Sequence, residues 1–275
     1  MRELKPADLG PLGTRWTVVE YGLAGVGKSL LASAHPSPNK VLIAAEPSAQ
    51  RLTSWVGPPP VHIVIPDGNW NPVTKTLDWR RETFALCQRD WAAEFGPDVV
   101  VIWDGWTNTN TELLHESARK NWFSEKKPVS GPQDPKTEEA SKYAQPQPGD
   151  YNMAQQLGLQ AIEFLIKQPI SVIVVTHECL AEADAAKGNL ALYGPQTVGQ
   201  KGPRQFPHRF DACLWMTREK ASDNPDAHVK VHFKTTEKHV ARINTPKPEL
   251  VPEFKYLKTP AEATALWEWM MTLKA

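Results

Sequence analysis

Gly22, Gly27, Lys28 and Ser29 stand in the spacing G-x-x-x-x-G-K-S within "EYGLAGVGKSLLASA". Each residue type answers a different demand of a bound polyphosphate. Glycine keeps side chains out of the way, so the backbone N–H groups from Gly22 through Ala24, Gly25, Val26 and Gly27 can turn inward around phosphate oxygens. The N–H groups opening a following helix, at Lys28, Ser29 and Leu30, add positive partial charge. The Lys28 ammonium is expected to reach the β- and γ-phosphates, and the Ser29 hydroxyl to offer an oxygen to Mg²⁺. The chemistry this predicts is binding of a nucleoside triphosphate together with its magnesium ion.

Magnesium in such a site needs a carboxylate as well, carried at the end of a buried strand. "DVVVIWDGW" supplies Asp104 at the C-terminal end of an apolar run, where the ligand crevice of an open α/β sheet lies. The other reading of Asp104 is a turn residue before Gly105. Many hexameric ATPases carry a water-activating Glu directly after the metal-site Asp, and here that place is Gly105. A different acid, Glu46, ends the run "KVLIAAE" and could deprotonate an attacking water. Its plainer reading is a Glu that marks the strand's exit to solvent.

These residues require elements to hold them. "RWTVVEYG" reads as a strand entering the glycine loop and "KSLLASA" as a short helix stopped by Pro36 and Pro38. "KVLIAAE", "VHIVIPD", "DVVVIWDGW" and "ISVIVVTHE" are continuous apolar runs of strand length, the pattern of strands covered on both faces. "TLDWRRETFALCQRDWAAEFG" predicts one amphipathic helix ended by Gly96-Pro97. Further helices are expected near 108–120 and over "YNMAQQLGLQAIEFLIKQ". "FDACLWMTR", "HVKVHFKTT" and "HVARIN" read as later strands, and the fold is expected to include late antiparallel strands. The alternation predicts an α/β fold over a single domain, 1–275, with a mostly parallel sheet between helical layers. Residues 121–150, polar and proline-rich without period, read as a mobile loop or lid. Residues 180–209 read as a flexible basic loop, and 246–275 as a C-terminal extension with a closing helix.

Bulk composition limits what else the chain can be. Its 31 basic and 31 acidic residues cancel, so contact with a polyanion must come from a local patch. The three cysteines, Cys87, Cys179 and Cys213, are scattered through apolar stretches and predict reduced thiols rather than disulfides or zinc ligands. Neither an apolar signal core nor a membrane-length apolar run is evident, which predicts a cytoplasmic protein without a membrane partner. The 11 tryptophans follow no fixed period and read as packing residues.

The order of glycine loop, strand ending in Glu46, strand ending in Asp104 and strand ending in Thr176-His177 resembles the RecA-type P-loop ATPase core. In particular it resembles the RecA-like ATPases of bacteriophages, a group that includes single-strand annealing recombinases. The likeness spans about residues 14–245. It implies ATP and Mg²⁺ as cofactors, Glu46 as catalytic base, and His177 with Thr176 as sensor of the γ-phosphate. It also implies a location in a bacterial host cell. The loop after the sensor strand would line a nucleic-acid channel. Between 187 and 209 this stretch holds Lys187, Lys201, Arg204 and Arg209 with no Asp or Glu, and Tyr193 and Phe206 could stack on bases. The other reading is a solvated loop.

Relatives of this type place ATP between subunits of a ring or filament, and a neighbour's cation reaches the γ-phosphate. "TTEKHVARIN" offers Arg242 and Lys238 for that role, with a plain surface cation as the equal alternative. The resulting expectation is an ATPase that binds single-stranded DNA and assembles as a homo-oligomer in recombination or replication. A P-loop small-molecule kinase, or an assembly factor that binds ATP and barely hydrolyses it, are the competing readings.

Overall fold

The computed structural model describes residues 15–46, 55–68, 70–71, 76–125, 145–183, 191–199, 202–219 and 228–274. The leading strand β1 (Thr17–Gly22) runs into the glycine loop and then helix α1 (Lys28–Ser33). Strands β2 (Lys40–Ala44), β3 (His62–Val64) and a small hairpin, β4 (Trp70–Asn71) with β5 (Thr76–Leu77), follow. Helices α2 (Trp79–Gln88) and α3 (Trp91–Phe95) lead to β6 (Val100–Asp104) and α4 (Trp106–Glu125). Next come α5 (Pro148–Ile166), β7 (Ser171–Ala181), β8 (Leu192–Pro195), the short helix α6 (Gly202–Gln205) and β9 (Ala212–Arg218). The chain closes with β10 (Val229–His232), β11 (Arg242–Ile243), β12 (Phe254–Leu257) and α7 (Pro260–Thr272).

The main sheet has ten strands, in the spatial order β12-β10-β9-β1-β7-β6-β2-β3, with β11 on β9 and β8 on β7. Its centre, from β9 through β1, β7, β6 and β2 to β3, is parallel, and β8, β10, β11 and β12 pair antiparallel. The α/β class, the mostly parallel sheet flanked by helices and the late antiparallel strands therefore all stand.

Helices cover both faces. On one face α1 and α7 pack on Val18, Leu42, Ile102, Ile173 and Leu214, with Trp267 in the middle, its indole N–H donating to the carbonyl of Leu31 (2.8 Å). On the other, α2, α4 and α5 close over Val19, Val41, Val101, Val172 and Val174, with Trp91, Trp103 and Trp106 fully buried among them. Buried on both faces, these strands carry apolar runs instead of alternation, with Glu20 the interruption in β1. Cys87 and Cys213 are buried free thiols and Cys179 is a half-buried one.

Four expectations change. The stretch from Thr76 to Gly96 forms two helices: Arg89 takes an extended ψ of 133°, and Asp90 begins a new helix by accepting the N–H of Ala93 (3.1 Å). The strand β3 is an edge, with Val61, Ile63 and Ile65 at 55%, 41% and 52% exposure, so it is not covered on both faces. The loop expected over 121–150 is shorter, since α4 runs to Glu125 and α5 begins at Pro148, leaving 126–144 outside the described residues. Proline loses nothing at the first helical turn, and the Asp150 carboxylate takes the Gln147 N–H (2.7 Å).

The fourth change concerns the flexible loop expected over 180–209. There β7 extends to Ala181, β8 returns beside it, and α6 with a 3₁₀ turn over Phe206–Arg209 follows. Phe206 and Phe210, 1% and 2% exposed, anchor that segment in the core. The C-terminal extension also supplies strand β12 before its closing helix. Among the described residues no helix is long and apolar enough to cross a membrane.

Candidate functional site

Three adjacent parallel strands, β1, β7 and β6, bring the predicted residues to one end of the sheet, with β2 beside them. Gly22 faces His177 across β1 and β7, and Asp104 faces Val175 on β7 and Ala44 on β2. The loop after β1 and the ends of the other strands enclose a crevice of about 570 Å³, within the size range of nucleotide pockets. Residues Ala24 to Leu30, Glu46, Asp104 and His177 all line it.

The loop's glycines are there for shape. Gly25 and Gly27 have φ of 77° and 97°, a region that side chains disfavour. A Cβ on Gly22 would lie 2.3 Å from the carbonyl oxygen of Met216. Val26 is buried in the core and pins the loop, while Ala24, Gly25 and Ser29 are exposed to an incoming group. The ammonium of Lys28 is buried and donates to the carbonyls of Gly22 (3.0 Å) and Leu23 (2.8 Å). Burial pulls the Lys28 pKa down, against the opposing pull of Glu46, Asp104, Glu20 and Glu178.

Ser29 and Asp104 both line the crevice, where two groups sharing one cation would stand. Burial raises the Asp104 pKa to about 6; Ser29, Lys28 and His177 lower it and Glu46 raises it. Nε2 of His177 lies 3.0 Å from Oε1 of Glu46, so the residue expected as sensor holds the residue expected as base. The His177 N–H in turn donates to Oγ1 of Thr107 (2.9 Å), which lies 2.9 Å from Oγ1 of buried Thr176.

Gly105 is a fixed point of this arrangement. It has φ of 97°, and a Cβ there would lie 2.4 Å from Cγ and 2.7 Å from N of Glu46. Gly105→Ala is therefore expected to cost at least the ~1–3 kcal/mol of a strained backbone position and to displace Glu46 as well. Thermal melting should show the first loss and nucleotide turnover the second. An unchanged melting temperature would mean that the Glu46 backbone gives way freely.

Two predicted roles do not fit where the structure puts their residues. A terminal nitrogen of the Arg242 guanidinium donates to the carbonyls of Pro207 and Phe210 (both 2.9 Å), tying β11 to the 3₁₀ turn of its own chain. Lys238 is the exposed cation of that pair. Phe206 is buried and stacks on Trp106 at 6.1 Å, so it offers no face to a base. Of the four basic residues expected on nucleic acid, Arg209 pairs with Glu163 of α5 and Arg204 donates to the carbonyl of Glu182 (3.4 Å). Lys187 and Lys201 lie outside the described residues.

Other contributors carry no sequence signal. Arg218, His228, Val229, Leu257 and Lys258, from β9, β10, β12 and their ends, wall the crevice beyond the loop. They come from a hairpin and a late strand whose place beside the loop only the sheet order determines. Glu20 lies on the same row as Asp104 with Val175 between them, about 10 Å away by two strand spacings. It is wholly buried, and neither carboxylate oxygen has a hydrogen-bond partner among the described residues. Glu178, next to His177, accepts the indole N–H of Trp215 (2.8 Å). That ring is stacked between His239 (3.6 Å) and His232 (4.1 Å). Comparison with known proteins finds no family model and no curated protein that matches the chain.

Proposed function

We propose that the chain binds ATP with Mg²⁺ in the crevice at the glycine loop and hydrolyses it, as a RecA-like ATPase. Its partner would be single-stranded DNA, and its setting phage recombination or replication. One observation carries the reading. A glycine loop with a buried lysine and an exposed serine, a carboxylate at the end of a neighbouring strand, and a second carboxylate held by a histidine meet in one crevice from four neighbouring strands. The sheet order supports the RecA-type assignment, because β7, the strand carrying His177, lies between the loop strand and the strand carrying Asp104.

Ser29 and Asp104 would hold the magnesium ion, which when bound neutralises charge on the β- and γ-phosphates. The backbone N–H groups of the loop and Lys28 bind the phosphates. Glu46 takes the proton from the attacking water, and His177 fixes its carboxylate until substrate arrives. In an assembly of copies, the neighbour's Lys238 suits the cationic role better than Arg242, since Lys238 is exposed and Arg242 is engaged within its own chain.

The test is steady-state ATP turnover with and without single-stranded DNA at low salt. DNA is expected to accelerate turnover, and Glu46→Gln to lower it by about 10²–10⁴-fold while leaving ATP affinity intact. Turnover that ignores DNA removes the DNA half of the reading. Turnover that requires an added small acceptor transfers the crevice to a kinase.

A further inference from the structure

The two ends of a nucleoside triphosphate must lie on opposite sides of the glycine loop, and the sheet order fixes which end goes where. Asp104 and Glu46 stand beyond β7, on the side of β1 that leads to β6 and β2. A γ-phosphate beside them points that way. On the other side of β1 the same crevice continues over β9, β10 and β12.

Three residues form a row there. Arg218 faces Val229 across β9 and β10, and Val229 faces Leu257 across β10 and β12. Directly opposed residues of antiparallel strands project from the same face, and two strand spacings make the row about 10 Å long. The row reaches the loop, since Cγ2 of Val229 lies 3.2 Å from the place that a Cβ on Gly27 would take. Leu257 is buried and Val229 half-buried on the core beneath α1 and α7, and half-buried Leu30 of α1 joins them. The result is an aliphatic surface that leads away from the last glycine of the loop.

Charge stands at both ends of that surface. Arg218 begins the row on β9, the strand beside the loop strand, and Lys258 follows Leu257. Both are exposed and line the crevice, and neither side chain has a hydrogen bond or ion pair among the described residues. A free guanidinium near the loop matches the phosphate that adjoins the ribose. A free ammonium past the aliphatic stretch matches the acceptor atoms of a sugar or base.

Given the nucleotide reading above, we propose that this row is the nucleoside half of the site, supplied by the same chain as the loop. Val229, Leu257 and Leu30 carry the ribose and base, Arg218 binds the α-phosphate, and Lys258 binds the far edge of the nucleoside. A neighbouring copy is needed for none of these contacts. The glycine loop recognises phosphates alone, so by itself it does not tell ATP from inorganic tripolyphosphate. The row makes that distinction, because only a nucleoside extends to Leu257 and Lys258.

The experiment is isothermal titration of the full chain in magnesium buffer, with a non-hydrolysable ATP analogue and with inorganic tripolyphosphate. Wild type is compared with Arg218→Ala, Lys258→Ala and Lys167→Ala; all three substituted residues are exposed, so matching thermal melts are expected. Lys258→Ala should bind the analogue about tenfold more weakly and tripolyphosphate as wild type does. Arg218→Ala should weaken both probes, because tripolyphosphate also fills the α-phosphate position. Lys167→Ala removes the same charge from α5, on the opposite face of the sheet, and should change neither. Arg218→Ala and Lys258→Ala proteins that bind the analogue as wild type does would overturn the row's assignment and leave the crevice a nucleotide site. So would an equal loss in Lys167→Ala, which would reduce the effect to net charge. A wild type that binds neither probe would overturn the nucleotide reading, and the row's assignment with it.

Discussion

Lys28→Ala should abolish measurable ATP turnover, with a loss of at least about 100-fold, the scale seen when one preorganised charge stabiliser is removed. The reason is visible in how the lysine is held. Its ammonium is buried among Glu20, Glu46, Asp104 and Glu178 and is occupied only by the carbonyls of Gly22 and Leu23. Those two bonds to uncharged carbonyls are the ones it can exchange for phosphate oxygens, whose negative charge attracts the ammonium more strongly. Without Lys28 a cluster of acids faces an incoming polyanion with its main counter-charge gone. Isothermal titration with a non-hydrolysable ATP analogue is the direct check, and retention of affinity within about threefold would show that the loop's N–H groups suffice.

The second large effect is on the fold. Glu20→Met should stabilise the protein by about 1–3 kcal/mol, the penalty of a buried polar group without partners. Glu20 lies between Val175 and Leu214 in the centre of the sheet, so an unbranched apolar side chain fits its surroundings. Burial first, and the Asp104 charge second, hold the Glu20 carboxyl well above its usual range. The sign of the pH effect follows. Between the ordinary glutamate value and the raised one, the native state binds more protons than the unfolded state, so wild-type stability falls as pH rises through that window. The advantage of Glu20→Met should therefore grow from pH 5 towards neutrality, as read by urea unfolding at several pH values. A variant no more stable than wild type at any pH would show that Glu20 is satisfied, with water as the available partner.

What the sequence revealed of this molecule follows from the range of the forces involved. Strands β2, β6 and β7 were legible because each is buried on both faces and so carries an apolar run, whereas Glu20 interrupts the run of β1. The glycine loop was legible because its demands are local, met within eight consecutive positions. Asp104 was readable as a strand end and Glu46 as a residue just past one, whereas β7 runs on beyond His177 to Ala181; the sheet still brings all three into one crevice. The contact between His177 and Glu46 was not readable, since it depends on the spatial order of β7, β6 and β2.

Arg242 shows the opposite failure. A cation in a strand pattern looks available in sequence, and only the return of Pro207 and Phe210 beneath it shows that one of its terminal nitrogens is bound to both of their carbonyls. The break at Arg89 turned on an aspartate three residues before an amide, and a helix-period count does not weigh that cap against continued winding. The far wall of the crevice, from Arg218 to Lys258, had no signature because it joins strands that are distant in sequence and carry no shared spacing.

The close approach of Glu46 to Gly105 bears on how such a site can change over time. A side chain of any size at 105 collides with Glu46, so an acid placed directly after Asp104 and an acid at 46 exclude each other sterically. Each one-step route between the two arrangements passes through a protein that either has a collision or carries an acid at neither 46 nor 105. A lineage that begins with the acid at 46 is held there by its neighbour's missing methyl group, whatever the relative merits of the two positions for hydrolysis.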